Sequence, residues 1–146
     1  MEKKENKTYW MATTHKGFVK SYLEGEKSVE LRRKVPLGVM PGDILLVCQE
    51  GTRGKVVLKM TVVSVARESP ADLWAEYFHE MQVNFLAYKK YTEGCEKVAG
   101  VKVKDIVRLP EGLTIHDFSV DSVPQWFRFA WPKERAIELM SKGGVI

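Results

Sequence analysis

The stretch Gly25-Glu26-Lys27-Ser28-Val29-Glu30-Leu31-Arg32 lies where one hydrophobic period ends and another begins. Upstream, Phe18, Val19, Tyr22 and Leu23 recur at i, i+1, i+4 and i+5, which predicts a short amphipathic helix over Lys16 to Leu23, stopped by Gly25. Downstream, Val29 and Leu31 alternate with Ser28, Glu30 and Arg32, so a half-buried strand follows. Glycine lets the chain reverse tightly, Lys27 projects from the turn, and Glu30 and Arg32 share one strand face. Two readings are open from the residues alone. The charges form an exposed Lys-Glu-Arg network of small energetic value, or they line a site.

Working outward, Pro41-Gly42-Asp43 signals a turn, and the unbroken apolar run Ile44 to Cys48 predicts a strand buried on both faces. After a turn at Gly51 to Gly54, the valine-rich segment Lys55 to Val65 keeps period two and reads as a long strand with a bulge. Ser69-Pro70-Ala71-Asp72 combines a capping serine, a proline suited to the first helical position and an acid in the first turn. The helix it opens carries Leu73, Trp74, Tyr77, Phe78 and Met81 as its core stripe. Asn84 caps a second helix bearing Phe85, Tyr88 and Tyr91 and ending near Gly94. Strands return at Val101 to Leu109 and at Gln125 to Ala130, and Pro132 opens a last helix with Ala136, Ile137 and Met140 on one side. Strands and helices that interleave without strict alternation predict an α+β fold, a curled mixed or antiparallel sheet with helices at its ends. Residues 1–8 read as a flexible tail, 9–131 as the domain, and 132–146 as a C-terminal helix and tail.

A chain of 146 residues amounts to one domain, since domains run roughly 100–200 residues. Hydrophobic residues at 45% and charged residues at 29% exclude wholesale disorder. Cys48 and Cys95 make no disulfide framework, and no apolar run reaches the roughly 20 residues that cross a bilayer. A cytoplasmic location without membrane contact is expected. The 23 Lys and Arg exceed the 19 Asp and Glu by four, which permits an anionic partner without demanding one. The densest basic run is Arg32-Arg33-Lys34. His15, His79 and His116 lack ligand spacing, so neither metal nor other cofactor is expected; His15 stands out only because it starts the helix that delivers the Gly25–Arg32 loop.

The spacing G-x-K-x-x-E-x-R, met in full by Gly25, Lys27, Glu30 and Arg32, resembles the signature of the ASCH domain family of the PUA-like superfamily. The aromatic helix before it, Pro41-Gly42-Asp43, Ser69-Pro70 ahead of Trp74, and Pro124-Gln125-Trp126-Phe127 are similar too, so the resemblance spans about residues 9 to 130. It implies a small closed PUA-like β-barrel with flanking helices, and RNA or a modified nucleobase or nucleoside bound in a cleft. Lys27, Glu30 and Arg32 would line that cleft, with Gly25 shaping the turn. Arg33 and Lys34 follow directly and are added as phosphate contacts. Alternation over Gln125 to Ala130 puts Phe127 and Phe129 on a core face and leaves Trp126 with Arg128 as a base platform. Tyr22 is a further ring able to stack.

The same resemblance implies an enzymatic alternative, because some members look like amidohydrolases acting on 4-acetylcytidine and others like ribonucleases. The amidohydrolase pattern has a threonine where this chain has Glu30, and a carboxylate cannot form the same acyl intermediate. Lys27 and Glu30 would then act on water or on a 2′-hydroxyl. Otherwise Glu30 simply orients Lys27 and Arg32, and the chain is a binding module.

Overall fold

The computed structural model describes residues 7–145. Its sheet has six strands, β1 (Tyr9–Thr14), β2 (Val29–Arg32), β3 (Ile44–Gln49), β4 (Val56–Glu68), β5 (Val98–Arg108) and β6 (Arg128–Ala130), in the order β2-β5-β4-β3-β1-β6. Neighbours are antiparallel except β1 and β3, which run parallel from Tyr9 opposite Ile44 to Thr14 opposite Gln49. The helices are α1 (Lys16–Leu23), α2 (Pro70–Met81), α3 (Phe85–Thr92) and α4 (Glu134–Lys142), with a 3-10 turn at Ile115–Phe118. The α+β class stands, and no described helix is long and apolar enough to cross a membrane.

Register shifts at Lys59/Thr61 and Val62/Ser64 against β5, and at Val47/Cys48 between β3 and β4, curl the sheet. The result is a half-barrel. Among the described residues β2 and β6 are unpaired margins, so the closed barrel implied by the resemblance is open on one side. Trp10, Tyr22, Leu45, Met60, Val101 and Phe127 pack inside the curl. On the other face Met11, Leu46 and Cys48 meet Phe118, Ala136 and Met140, while Leu73, Met81 and Tyr88 cover Val29 and Val98. Burial on both sides explains the unbroken apolar run of β3.

The same cause hides β1 from periodicity. Trp10, Met11 and Ala12 are all buried, so the segment shows no alternation. Helix ends are better written: Ser69 Oγ accepts from Asp72 N at 3.2 Å and Asn84 Oδ1 from Ala87 N at 2.8 Å. Three expectations need correction. β6 begins only at Arg128, so alternation from Gln125 does not hold, and Phe129 is 70% exposed, laid flat over Trp10 at 4.4 Å, while Phe127 is buried. Phe78 and Ile137 face outward, because Leu73 with Met81 and Ala136 with Met140 make the buried contacts of their helices. Of the tail expected over residues 1–8, residues 1–6 lie outside the described residues, and Thr8 is tied to the sheet through Ile44 N to Thr8 O at 2.9 Å.

Asp43 explains why the Pro41-Gly42-Asp43 turn ends where it does. Fully buried, it accepts from Trp10 Nε1 and Met40 N, each at 3.0 Å, and from Thr8 N at 3.2 Å, pinning the start of β1 beside β3. Removing the carboxylate strands buried donors, each costing about 1–3 kcal/mol. Asp43→Ala should therefore lower unfolding free energy in urea by about 3 kcal/mol, and a loss below about 1 kcal/mol would show that the turn holds without it.

Candidate functional site

Gly25 takes a left-handed φ of 79°, and the backbone N–H groups of Glu26 and Lys27 return to Ser21 O at 3.0 and 3.1 Å, so the chain leaves α1 in a tight reversal. Ser28 N then donates to Glu80 O at 2.9 Å, docking the loop on the end of α2. Helix α2 can come this close because β5 has Gly100 beneath it: a Cβ there would stand 3.1 Å from both Leu73 Cδ1 and Val29 Cγ1. Lys27 consequently turns inward, 1% exposed, and its Nζ donates to Met81 O at 2.5 Å. The C-terminal carbonyls of a helix carry partial negative charge and suit a cation. The ammonium also lies 4.3 Å from the centroid of the Phe18 ring and 5.4 Å from that of Tyr22.

Glu30 is buried beside it. Its Oε1 accepts from Tyr22 Oη at 2.6 Å, and its Oε2 accepts from Arg32 Nε at 3.0 Å and Nη2 at 2.7 Å. Arg32 Nη2 donates further to Thr13 O at 2.6 Å, reaching from β2 to β1 across the open side of the half-barrel. The exposed-network reading of these charges is thus overturned, because the polar face of β2 points into the barrel. Burial pushes the Lys27 pKa down to about 8, with Glu30 opposing and Arg32 reinforcing the shift. Burial also pulls the Glu30 carboxyl upward, but the charges of Arg32 and Lys27 and the hydrogen bonds from Tyr22 and Arg32 outweigh it and hold the group below its usual range. Tyr22 is pushed well above the ordinary phenol value by burial and by Glu30.

Above this cluster opens a cleft of about 340 Å³, walled by Lys27, Glu30, Arg32, Phe18, His15 and Tyr91 among others. A second depression of about 440 Å³ adjoins it and is lined by Arg33, Lys34 and Trp126, with Thr13, Arg32, Glu50 and Tyr91 common to both. The structure therefore brings together six of the seven candidate residues. Arg128 is not among them: it lies in the walls of neither, and its Nη1 donates to Ser122 Oγ at 3.3 Å, because the strand that was to pair it with Trp126 starts two residues too late. Tyr22 is 1% exposed and serves Glu30 instead of presenting a stacking ring.

Sequence reasoning assigned no site role to Phe18, Glu50 or Tyr91. Phe18 and Tyr91 sat on helical stripes that read as core, and Glu50 gave no signal, since only the parallel pairing of β1 and β3 carries Thr14, His15 and Glu50 to one edge. Glu50 N donates to Thr14 O at 2.8 Å, and His15 Nδ1 stands 3.2 Å from Glu50 Oε1. Tyr91 holds Arg33, whose Nε donates to Tyr91 O at 2.8 Å and whose guanidinium lies 4.3 Å from the ring centroid.

These shifts carry consequences for stability. The folded protein releases the Lys27 proton near pH 8 and the unfolded chain near 10.5, so the cost of burying the charge is complete below pH 8 and is relieved as pH rises toward 10.5. Lys27→Met removes that cost, and its stability relative to the parent should fall by on the order of 3 kcal/mol between pH 7 and 10.5 in paired urea titrations. A pH-independent difference would show that Lys27 is not held near pH 8. Glu30→Gln leaves two buried cations without their counter-charge and should cost about 3–5 kcal/mol at pH 7, read in the same titrations; a variant as stable as the parent would remove the carboxylate from the centre of the cluster.

No family model matches the chain. An ASCH domain-containing ribonuclease from Zymomonas mobilis subsp. mobilis is 26% identical over 88 residues, which span 60% of this chain and 59% of that protein's length. The crystal structure of ASCH from Zymomonas mobilis superposes with a TM-score of 0.78 at 18% identity, covering 94% of this chain and 96% of the other. A tyrosine-to-phenylalanine mutant of that protein also gives 0.78, covering 93% and 98%. The half-barrel built around Gly25 to Arg32 is thus the fold of the ASCH structures, carried over 94% of this chain.

Proposed function

We propose that the cleft over Lys27 binds RNA or a modified nucleobase. The observation that carries this reading is a buried ammonium lining a cleft of about 340 Å³, whose one hydrogen bond among the described residues goes to Met81 O. Lysine has three donors, and Met81 O takes one of them, which leaves hydrogen-bonding capacity for a ring carbonyl or phosphate oxygen of a ligand. Phe18 and Tyr91 supply flat walls and Arg32 a second cation, a mixture of apolar surface and a few placed polar groups that suits a base. The Zymomonas relative is named a ribonuclease, which favours RNA as the class of partner.

A second reading, hydrolysis, rests on the depressed Lys27 pKa. A lysine titrating at about 8 is neutral in a useful fraction of molecules at neutral pH and can accept a proton. Glu30 is less suited to activate water, because both its oxygens are engaged and its carboxyl is held ionised. In this reading Lys27 is the base, Glu30 positions it, and Arg32 steadies the developing negative charge.

The test is fluorescence anisotropy of labelled single-stranded RNA, duplex RNA and DNA across a salt series, with each oligonucleotide recovered intact or cut. Binding should weaken steeply with salt and weaken again as pH rises through about 8, where Lys27 loses its charge. Lys27→Met should lower affinity by about tenfold or more, the worth of a charge-assisted hydrogen bond. Cleavage whose rate climbs through the same pH window would establish Lys27 as a base. Affinity unchanged in a folded Lys27→Met variant would end the binding reading, and cleavage unchanged in the same variant would end the hydrolytic one.

A further inference from the structure

We propose that the ligand is a stretch of single-stranded RNA at least two nucleotides long, with one base in the Lys27 cleft and its neighbour in the adjoining depression, stacked on Trp126 and held at the linking phosphate by Arg33 and Lys34. This rests on the reading of the Lys27 cleft as a base site and extends it from a nucleobase to a polymer. The two cavities share Thr13, Arg32, Glu50 and Tyr91 in their walls, so they lie side by side, within reach of adjacent nucleotides of one strand. Their characters differ in the manner such a path needs. The first is floored by Lys27 and Glu30, 1% and 5% exposed, and admits a base only when it is unpaired and turned out of a helix. The second is rimmed by an indole that is 63% exposed.

Trp126 is held out by its neighbours. Pro124 and Phe127 are buried on either side of it, anchoring the loop, and the indole has no ring partner among the described residues. A large flat side chain kept at the surface by buried flanks presents a face on which a base can stack. Arg33 is similarly prepared: its Nε is committed to Tyr91 O and its plane lies against the Tyr91 ring, while its terminal nitrogens make no hydrogen bond among the described residues. Arg32, Arg33 and Lys34 are consecutive, so the cation that lines the first cavity is followed directly by two that line the second. Glu50 sits in the shared wall with its Oε1 3.2 Å from His15 Nδ1, and its carboxylate disfavours a phosphate beside it, whereas Arg33 and Lys34 favour one. A free nucleoside would leave this second half of the surface unused.

Titration calorimetry with the common nucleoside monophosphates, 4-acetylcytidine and the matching dinucleotides tests the proposal. In the parent protein the best dinucleotide should bind about tenfold or more tighter than its mononucleotide. Trp126→Ala should bring that ratio close to one, Trp126→Phe should restore most of it, and Arg33→Ala with Lys34→Ala should lower both the ratio and the salt dependence of dinucleotide binding. A parent that binds both lengths equally, or a ratio that survives Trp126→Ala, overturns the two-nucleotide site and leaves the Lys27 cleft standing. A folded parent that binds none of these ligands or longer single strands overturns the underlying reading as well.

Discussion

One guanidinium spans the open side of the half-barrel. β1 and β2 do not pair, and Arg32 reaches between them, giving Nη2 to Thr13 O while two of its nitrogens hold Glu30. Glu30 in turn needs Tyr22 from α1, and Lys27 beside it needs Met81 O from the end of α2. Two helices and two strands therefore meet at one buried polar cluster. Each member is costly to bury alone, and the cost is met only when all partners are in place. That mutual dependence specifies how α1 and α2 sit against the seam, which apolar packing alone leaves free to slide.

The cluster is also unbalanced. Two cations, Lys27 and Arg32, share one carboxylate, and Arg32 takes the greater part of it through two hydrogen bonds. Lys27 is left with a helix-end carbonyl and the face of Phe18, less than a buried ammonium requires, and its pKa falls to about 8 in consequence. Burying the ammonium this way costs stability below pH 8, where Lys27 is charged.

The surroundings then divide the labour. Arg32 serves the fold and the cleft together, Glu30 holds its neighbours in place, and Arg33, Lys34 and Trp126 beyond the seam face solvent. Arg33 leans on Tyr91, and Trp126 stands between two buried anchors, so both are positioned without being consumed by the core.

By itself the sequence determined the local elements. α1, α2, α3, β3 and β4 were legible because a helix or strand is set by neighbours a few positions away, through the stripe of Tyr22, the caps Ser69 and Asn84, and the valine alternation of β4. The motif likewise named Lys27, Glu30 and Arg32. Only the tertiary structure decided that these charges are buried, that Tyr22 and Met81 O are their partners, that Tyr91 and Glu50 join them, and that Arg128 does not. Lys27 and Met81 are 54 positions apart, and Arg33 and Tyr91 are 58 apart. No local period can report such a meeting. The same limit hid β1, whose two buried faces erase the alternation that marks a strand, and misjudged Phe129, whose exposure depends on where β6 begins. Periodicity encodes which way a residue faces on its own element; desolvation, and the pKa it displaces, depends on what the rest of the chain brings to that face.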